Sequence, residues 1–249
     1  MILNLLSYNI RFGGQKREAR LAEVIRSVAP DLVVFQEAID PHVIERLSAL
    51  TEMPFWAARR AHSIGYISRI EIAHHEWHYP RGAKHSFLEI VPARAEARVF
   101  GLHLSAVFSK WGERRRAREI QALLKGIEKH QEGLHIIAGD FNALAPGARL
   151  DVRRMPGWIR ALIWISGREI QRETIQSMLD ANYRDSFRLL HPKDDGCTFP
   201  TWDPHLRLDY AFVPRQFADR VKACNVLREP AEVGLASDHF PLLARIDIS

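Results

Sequence analysis

The run Leu134-His135-Ile136-Ile137-Ala138-Gly139-Asp140-Phe141-Asn142 joins an apolar segment to a turn that carries an acid and an amide. Leu134 to Ala138 has the short, nearly continuous apolar character of a strand buried on both faces. Gly139-Asp140-Phe141-Asn142 ends it. Open α/β sheets gather their functional groups just beyond the ends of strands, and the same arrangement recurs outward in both directions. Ile2 to Asn9 is an apolar run ending in Asn9. Asp31 to Gln36 contains Leu32-Val33-Val34-Phe35 and runs into Gln36-Glu37. Ala97 to His103 ends in His103. On the other side, Arg207 to Val213 carries Asp209, and Asp238-His239 stands before the strand-like Phe240 to Ile248.

Helices fall between these strands. Leu21, Val24, Ile25 and Val28 lie at i, i+3, i+4 and i+7, which predicts an amphipathic helix over Glu18–Val28, stopped by Pro30. Pro41 to Leu50 reads as a second helix with proline in its first turn. Ile64–Ser68, Ile70–His78, Ser86–Val91 and Ala97–His103 read as antiparallel strands. Glu113 to His130 reads as a long helix with Ile120, Leu123, Leu124 and Ile127 inward. An irregular stretch from Ala143 to Gly157 precedes the apolar Trp158–Ile165. Glu173–Ala181 is a short helix and Val221–Val226 a strand. No linker rich in Gly, Ser or Pro divides the chain, so residues 1–249 are expected to form one domain of two packed sheets with helices on both outer sides, carrying a Trp/Arg-rich insertion at about 145–172.

Composition narrows the classes. With 26% charged and 47% hydrophobic residues the chain is ordinary globular protein rather than disordered or low-complexity. Cys197 and Cys224 cannot build a disulfide framework or a cysteine-rich zinc site. No secretory signal precedes the first strand and no apolar stretch has membrane-spanning length, so a cytoplasmic protein is expected. The net charge of +5 allows an anionic partner without requiring one. It is unevenly spread: 110–118 and 149–172 carry +4 each, leaving the rest near −3.

Taken singly, each strand-end residue has an ordinary structural reading. Gln36-Glu37 suits a solvated loop, Gly139-Asp140 a capped turn, His103 a hydrogen-bonded core histidine, and Asp209 half of an ion pair. Together they carry chemistry. Carboxylates and amides suit a hard cation such as Mg²⁺. A histidine beside an aspartate suits proton transfer or phosphate binding. An asparagine can donate to a developing oxyanion.

The stretches Leu6-Ser7-Tyr8-Asn9-Ile10-Arg11, Pro30–Glu37, Gly101-Leu102-His103-Leu104, Ala138–Asn142, Arg207–Phe212 and Ser237-Asp238-His239-Phe240-Pro241, six in order, resemble the endonuclease/exonuclease/phosphatase superfamily, the DNase I-like metal-dependent phosphoesterases. The resemblance implies an α/β fold, a four-layer α/β/β/α sandwich of two packed mixed sheets, with the site where their strand ends converge. It implies Glu37 as principal Mg²⁺ ligand, with Mn²⁺ as a substitute, and Asn9 and Asp238 beside the metal. It implies Asp140 as the carboxylate that orients or deprotonates the attacking water. Asn142, His103 and His239 would face the phosphate, and Asp209 would orient His239 and keep it cationic. The expected reaction is in-line hydrolysis of a phosphate ester without a covalent intermediate. Because none of these residues is lost, an enzyme is favoured over a non-catalytic binding protein on the same fold.

The substrate is less legible. Apurinic-site endonucleases of the superfamily carry tyrosine where His103 stands, tryptophan in place of Tyr8, and an aromatic-rich run before the Arg207-Leu208-Asp209 stretch. This chain departs on all three, although Trp202 is nearby. Its Leu-His-Leu and Gly-Asp-Phe-Asn are more similar to the branch holding tyrosyl-DNA phosphodiesterases and sphingomyelinase-like enzymes. Ser105-Ala106 follows where the latter have Gln-Ala. Arg114 and Arg118, within the basic run Lys110–Arg118, read either as a clamp on substrate phosphates or as a solvated helix face. Residues 149–172, with Trp158 and Trp164 among six arginines, read as a packed insertion, a lid, or at 150–168 a patch for peripheral membrane contact. A nuclease-like phosphodiesterase acting on nucleic acid leads a phospholipid- or inositol-phosphate-directed one narrowly. No obligate protein partner is expected.

Overall fold

The computed structural model describes residues 1–81, 83, 85–106, 108–165 and 171–249. Among these residues, twelve strands form two sheets. The first has the order β11 (Val221–Val226), β12 (Leu242–Asp247), β1 (Ile2–Asn9), β2 (Leu32–Gln36), β4 (Ile64–Ser68), β3 (Phe55–Ala57). The second runs β5 (Ile72–His78), β6 (Phe87–Pro92), β7 (Arg98–His103), β8 (His135–Asp140), β10 (Asp209–Pro214), β9 (Tyr183–Asp185). Each sheet is antiparallel except for its central pair. β1 runs parallel to β2 and β7 parallel to β8. A parallel pair places both strand ends at one edge, which is where the polar residues are needed.

Helices cover both outer faces. α1 (Glu18–Val28), α2 (Pro41–Thr51) and the short α7 (Glu232–Ala236) lie on the first sheet, where Leu21, Val24, Ile25, Ile44 and Leu47 pack against Leu6, Tyr8, Val33 and Phe35. Asp40 caps α2 through the His42 N–H, ahead of the proline at its first position. α3 (Lys110–Gly126) and α5 (Glu173–Asp180) cover the second sheet with Ile120, Leu123, Ile175 and Met178. Between the sheets, Leu3, Leu5, Val34 and Ile64 join the core that contains Leu88 and Phe100. The sheets approach closely at Gly101, where a Cβ would lie 2.5 Å from a Val34 methyl. The result is the expected α/β/β/α sandwich.

Several elements differ in extent from the sequence reading. α3 begins a turn earlier, because the Ser109 hydroxyl accepts from the Gly112 N–H. It ends at Gly126, and a separate 3₁₀ turn covers Glu128–His130. The short β3, β9, α6 (Ser186–Leu190) and α7 have too few residues to display a period, so tertiary pairing defines them.

The basic run at α3 also differs. Arg114 and Arg118 are exposed as expected, but Arg116 is buried. Its guanidinium meets Glu113 at 2.7 Å and donates to the Ser105 carbonyl at 2.8 Å. Glu113 in turn accepts from the Thr174 N–H at 2.8 Å, tying α3 to α5. The +4 of this run therefore contains an internal ion pair and is not a uniform clamp.

The insertion is partly packed. α4 (Gly157–Ile165) buries Ile163 in a small cluster with Leu144, Met155, Leu206 and Leu208, while Trp158, Trp164 and Ile165 remain exposed. Arg154 pairs with Asp203. Arg168 and Glu169 of the insertion lie outside the described residues. Among the described residues, no helix is long and apolar enough to cross a membrane.

Candidate active site

Strand register assembles the site. In the first sheet Asn9 at the end of β1 pairs with Gln36 at the end of β2. In the second, Asp140 pairs with His103 on one side and Asp209 on the other. A single slipped residue would turn each of these side chains to the opposite face. The turn after β8 depends on Gly139, at which a Cβ would lie 2.0 Å from the Leu102 carbonyl oxygen. Glu37 at φ +59° and Asn142 at φ +48° also adopt left-handed backbone. Such conformations occur where surrounding contacts hold them.

Asp140 is the hub. One carboxylate oxygen accepts from the Asn142 N–H at 2.8 Å. The other accepts from Asn9 Nδ2 at 3.0 Å and Asn142 Nδ2 at 3.1 Å. That same oxygen is 3.8 Å from both His103 Nε2 and His239 Nε2. This separation exceeds a hydrogen bond, so both imidazoles are presented beside Asp140 without being consumed by it. Asn9 Nδ2 is also 3.3 Å from Glu37 Oε1, while its Oδ1 accepts from the Arg11 N–H at 2.9 Å. Asn9 thus turns its amide nitrogen between two carboxylates contributed by different sheets.

His239 is buried, and its Nδ1 is 2.9 Å from Asp209 Oδ2. Burial opposes a charge on the ring, but the carboxylates of Asp209 and Asp140 outweigh it and raise the pKa to about 10. Burial also raises Asp140, to about 7, against the lowering influence of His239. A proton is therefore held at His239 across the neutral range. Thr198 Oγ1 accepts from the Leu208 N–H at 3.1 Å, steadying the start of β10, and the Phe199 ring packs 4.8 Å from the His239 ring.

Asp238 is farther out. Its carboxylate is 3.3 Å from Arg11 Nε. Ser237 anchors this loop by donating from its hydroxyl to the Asn9 carbonyl at 2.6 Å. Glu37 accepts from the Phe12 N–H through Oε2.

Eight of the ten candidate residues thus fall in one region: Asn9, Glu37, His103, Asp140, Asn142, Asp209, Asp238 and His239. Arg114 and Arg118 stand on the solvent face of α3, and no described hydrogen bond or ion pair joins them to the Asp140 centre. Sequence reasoning missed the supporting groups, namely Ser237, Thr198, Phe199 and the ring of His85, which stacks 5.9 Å from His103. It also missed the rim. Phe12 and Trp202 are 72% and 69% exposed, and the Arg11 guanidinium lies 5.5 Å and 5.9 Å from their rings. Arg11 sits inside the first motif stretch, so a signal was present, but nothing in sequence brings Trp202 beside it.

Hard oxygen donors dominate the centre: the carboxylates of Asp140 and Asp209 flank His239, and Glu37 adds a third across the Asn9 amide. Asp209 Oδ1 is buried without a hydrogen-bond partner. A buried carboxylate oxygen left unsatisfied is costly, and a divalent cation in the region would offset that cost. The residues present fit such an ion.

Comparison with known proteins bears on the fold and the family. No curated protein sequence matches the chain. Among solved structures it is similar to the 3′ phosphatase NExo from Neisseria bound to product DNA hairpin, with 18% identity, TM-score 0.73, and coverage of 98% of this chain and 99% of that one. It is similar to an AP endonuclease from Archaeoglobus fulgidus, with 14% identity, TM-score 0.72, and coverage of 99% and 100%. It is also similar to a humanized D. rerio TDP2, with 17% identity, TM-score 0.66, and coverage of 99% and 99%. At these identities the likeness is one of fold. The sequence pattern of the Endonuclease/Exonuclease/phosphatase family, in contrast, matches residues 6–239, from just before Asn9 to His239 itself, and the chain belongs to that family of phosphoester hydrolases.

Proposed function

We propose that the chain is a divalent-metal-dependent phosphodiesterase with nuclease-like activity, and that residues 1–249 act as one catalytic domain. The observation that carries this reading is the placement of His103 and His239, each 3.8 Å from one oxygen of a buried Asp140. Two imidazoles and a carboxylate converging on one point suit attack of water on an anionic phosphate.

Glu37 would hold the metal, with Asn9 and Asp238 beside it and Mg²⁺ or Mn²⁺ as the ion its oxygen donors suit. When bound, the ion would neutralise charge on the phosphoryl and leaving oxygens. Asp140 positions the attacking water and accepts its proton, a role suited to a carboxyl held near neutrality. His239, kept cationic by Asp209, donates to a phosphoryl oxygen. His103 and the Asn142 amide donate from the neighbouring side. Water is the nucleophile, so no covalent intermediate forms.

The rim favours nucleic acid. Phe12 and Trp202 offer ring faces to unpaired bases, and Arg11 between them adds a cation. Trp158, Trp164 and Ile165 on α4 favour a second reading, phosphoester hydrolysis at a lipid surface. Liposome flotation of the chain with and without Trp158→Ala/Trp164→Ala decides it: equal flotation rules the second reading out.

The catalytic assignment is tested with bis-p-nitrophenyl phosphate in Mg²⁺ or Mn²⁺. Turnover should collapse in Glu37→Ala, Asp140→Asn and His239→Ala variants. Unchanged turnover in all three overturns the assignment. Single-stranded and duplex DNA, with a phospholipid and a soluble inositol phosphate alongside, then rank the substrates.

A further inference from the structure

The second sheet carries another cluster of metal-ligating groups, well separated in sequence from the Asp140 centre. β5 is an edge strand, and its residues alternate between the two faces. His75 shares the face of the buried Trp77, its Nδ1 3.1 Å from the Tyr66 hydroxyl and its ring 5.4 Å from that of Trp77. His74, Glu76 and His78 therefore share the outer face. Register places Glu76 directly opposite Glu89 of β6. Like charges opposite each other on one face of an antiparallel pair repel.

The partners of Glu89 are divided between its oxygens. Oε1 faces Arg98, with His130 Nε2 at 3.7 Å. Oε2 faces β5, where His78 Nε2 lies at 2.7 Å. Among the described residues, Glu76 pairs with His74, 3.6 Å from its Oε2 to the ring Nε2. One donor atom each from His74, Glu76 and Glu89 lies within 4.8 Å of the other two. Tetrahedral coordination by nitrogen and oxygen brings donors to about 3.3 Å from one another, which small side-chain rotations of His74 and Glu76, both more than half exposed, would achieve.

We infer that the outer face of the β5–β6 hairpin is a second metal site, taking a divalent transition ion of the zinc class on His74, Glu76 and Glu89. An imidazole with two carboxylates suits such an ion, whereas Mg²⁺ prefers oxygen donors and retained water. The ion would cancel the Glu76–Glu89 repulsion and clip the edge strand to its neighbour. An edge strand tied in this way is less available for pairing with another chain. The inference does not depend on the phosphodiesterase reading.

The test uses the full chain without an affinity tag, treated with chelator and titrated with Zn²⁺ alone by calorimetry. Visible ligand-field absorption with Co²⁺ gives a second readout. The wild type should show a zinc equivalent that a His74→Ala/Glu76→Gln variant binds at least tenfold more weakly. Both substituted residues are exposed, and Mg²⁺-dependent turnover of bis-p-nitrophenyl phosphate serves as the control for folding and should be unchanged. An Asp140→Asn variant should keep the hairpin equivalent. Identical zinc stoichiometry and affinity in wild type and hairpin variant overturn the proposal. So does a wild type whose entire zinc binding is lost in Asp140→Asn.

Discussion

Two carboxylate–histidine clusters in this molecule have similar ingredients and different settings. Asp140, Asp209 and His239 are all buried and stand where strand ends of both sheets converge, joined by Asn9 from the first sheet. His74, Glu76 and Glu89 come from a single hairpin, and two of the three are exposed. In the first cluster, burial alters the acid–base character of its members, because a dry setting magnifies each neighbour's charge. In the second, solvent screens Glu76 and His74, and only Glu89 is sequestered. Burial combined with convergence from two sheets is what sets the proposed reactive centre apart from the hairpin cluster. A single hairpin face offers only a place to hold a cation.

The widest separation between the clusters should be in turnover. Asp140→Asn should lower turnover of a phosphodiester by about 10³-fold or more, as loss of a positioned proton acceptor and its linked groups does. His74→Ala should change it less than about twofold. Steady-state kinetics on bis-p-nitrophenyl phosphate measures both, and comparable losses would break the comparison.

Stability should follow the opposite order. Glu89 is buried against Arg98 and His78, so Glu89→Ala leaves a guanidinium that is 34% exposed without its partner and should cost about 1–3 kcal/mol. Asp140→Asn should be neutral or stabilising above pH 7, because burial raises that carboxyl to about 7 and its charged form is disfavoured in the metal-free fold. Chemical denaturation of metal-free protein separates the two.

His239 gives a pH signature. Its folded pKa, about 10, lies above the ordinary 6.5. The stabilisation from its charged form is therefore complete below pH 6.5 and is lost as pH rises through about 10. The stability gap between wild type and His239→Gln should shrink over that window. Asp209→Asn, which removes the partner carboxylate, should shrink it at lower pH. A gap that grows with pH contradicts the Asp209–His239 assignment.

The smallest effect is expected at the rim. Phe12→Ala or Trp202→Ala should weaken single-stranded DNA binding by about 1–3 kcal/mol per lost stacking contact, read mainly in KM, and leave hydrolysis of bis-p-nitrophenyl phosphate near wild type. Equal losses on both substrates would place these rings in the chemistry and not in recognition.

Much of the centre is legible in sequence because it rests on local rules. Apolar runs such as Leu32–Phe35 and Ile136–Ala138 announce buried strands, and Glu37, Asp140 and Asn142 directly follow or end them. Helices with a clear period, as in Glu18–Val28, come out at their observed bounds. The basic run at 110–118 misleads for a physical reason. Charge is visible in sequence but burial is not, so Arg116 looks like its exposed neighbours until Glu113 and Ser105 are found around it.

The sequence by itself determined the alternation of strands and helices, the family, and which polar residues end which strands, because periodicity, turn chemistry and motif order are properties of neighbours along the chain. Tertiary structure alone decided that Asp140 meets Asn9 from 131 positions away, that His239 and His103 converge on one of its oxygens, that Arg11 lies between Phe12 and Trp202, and that Glu76 faces Glu89. Those pairings depend on strand register and sheet-on-sheet packing, which are fixed by burial summed over the whole core and leave no local mark on the residues they join.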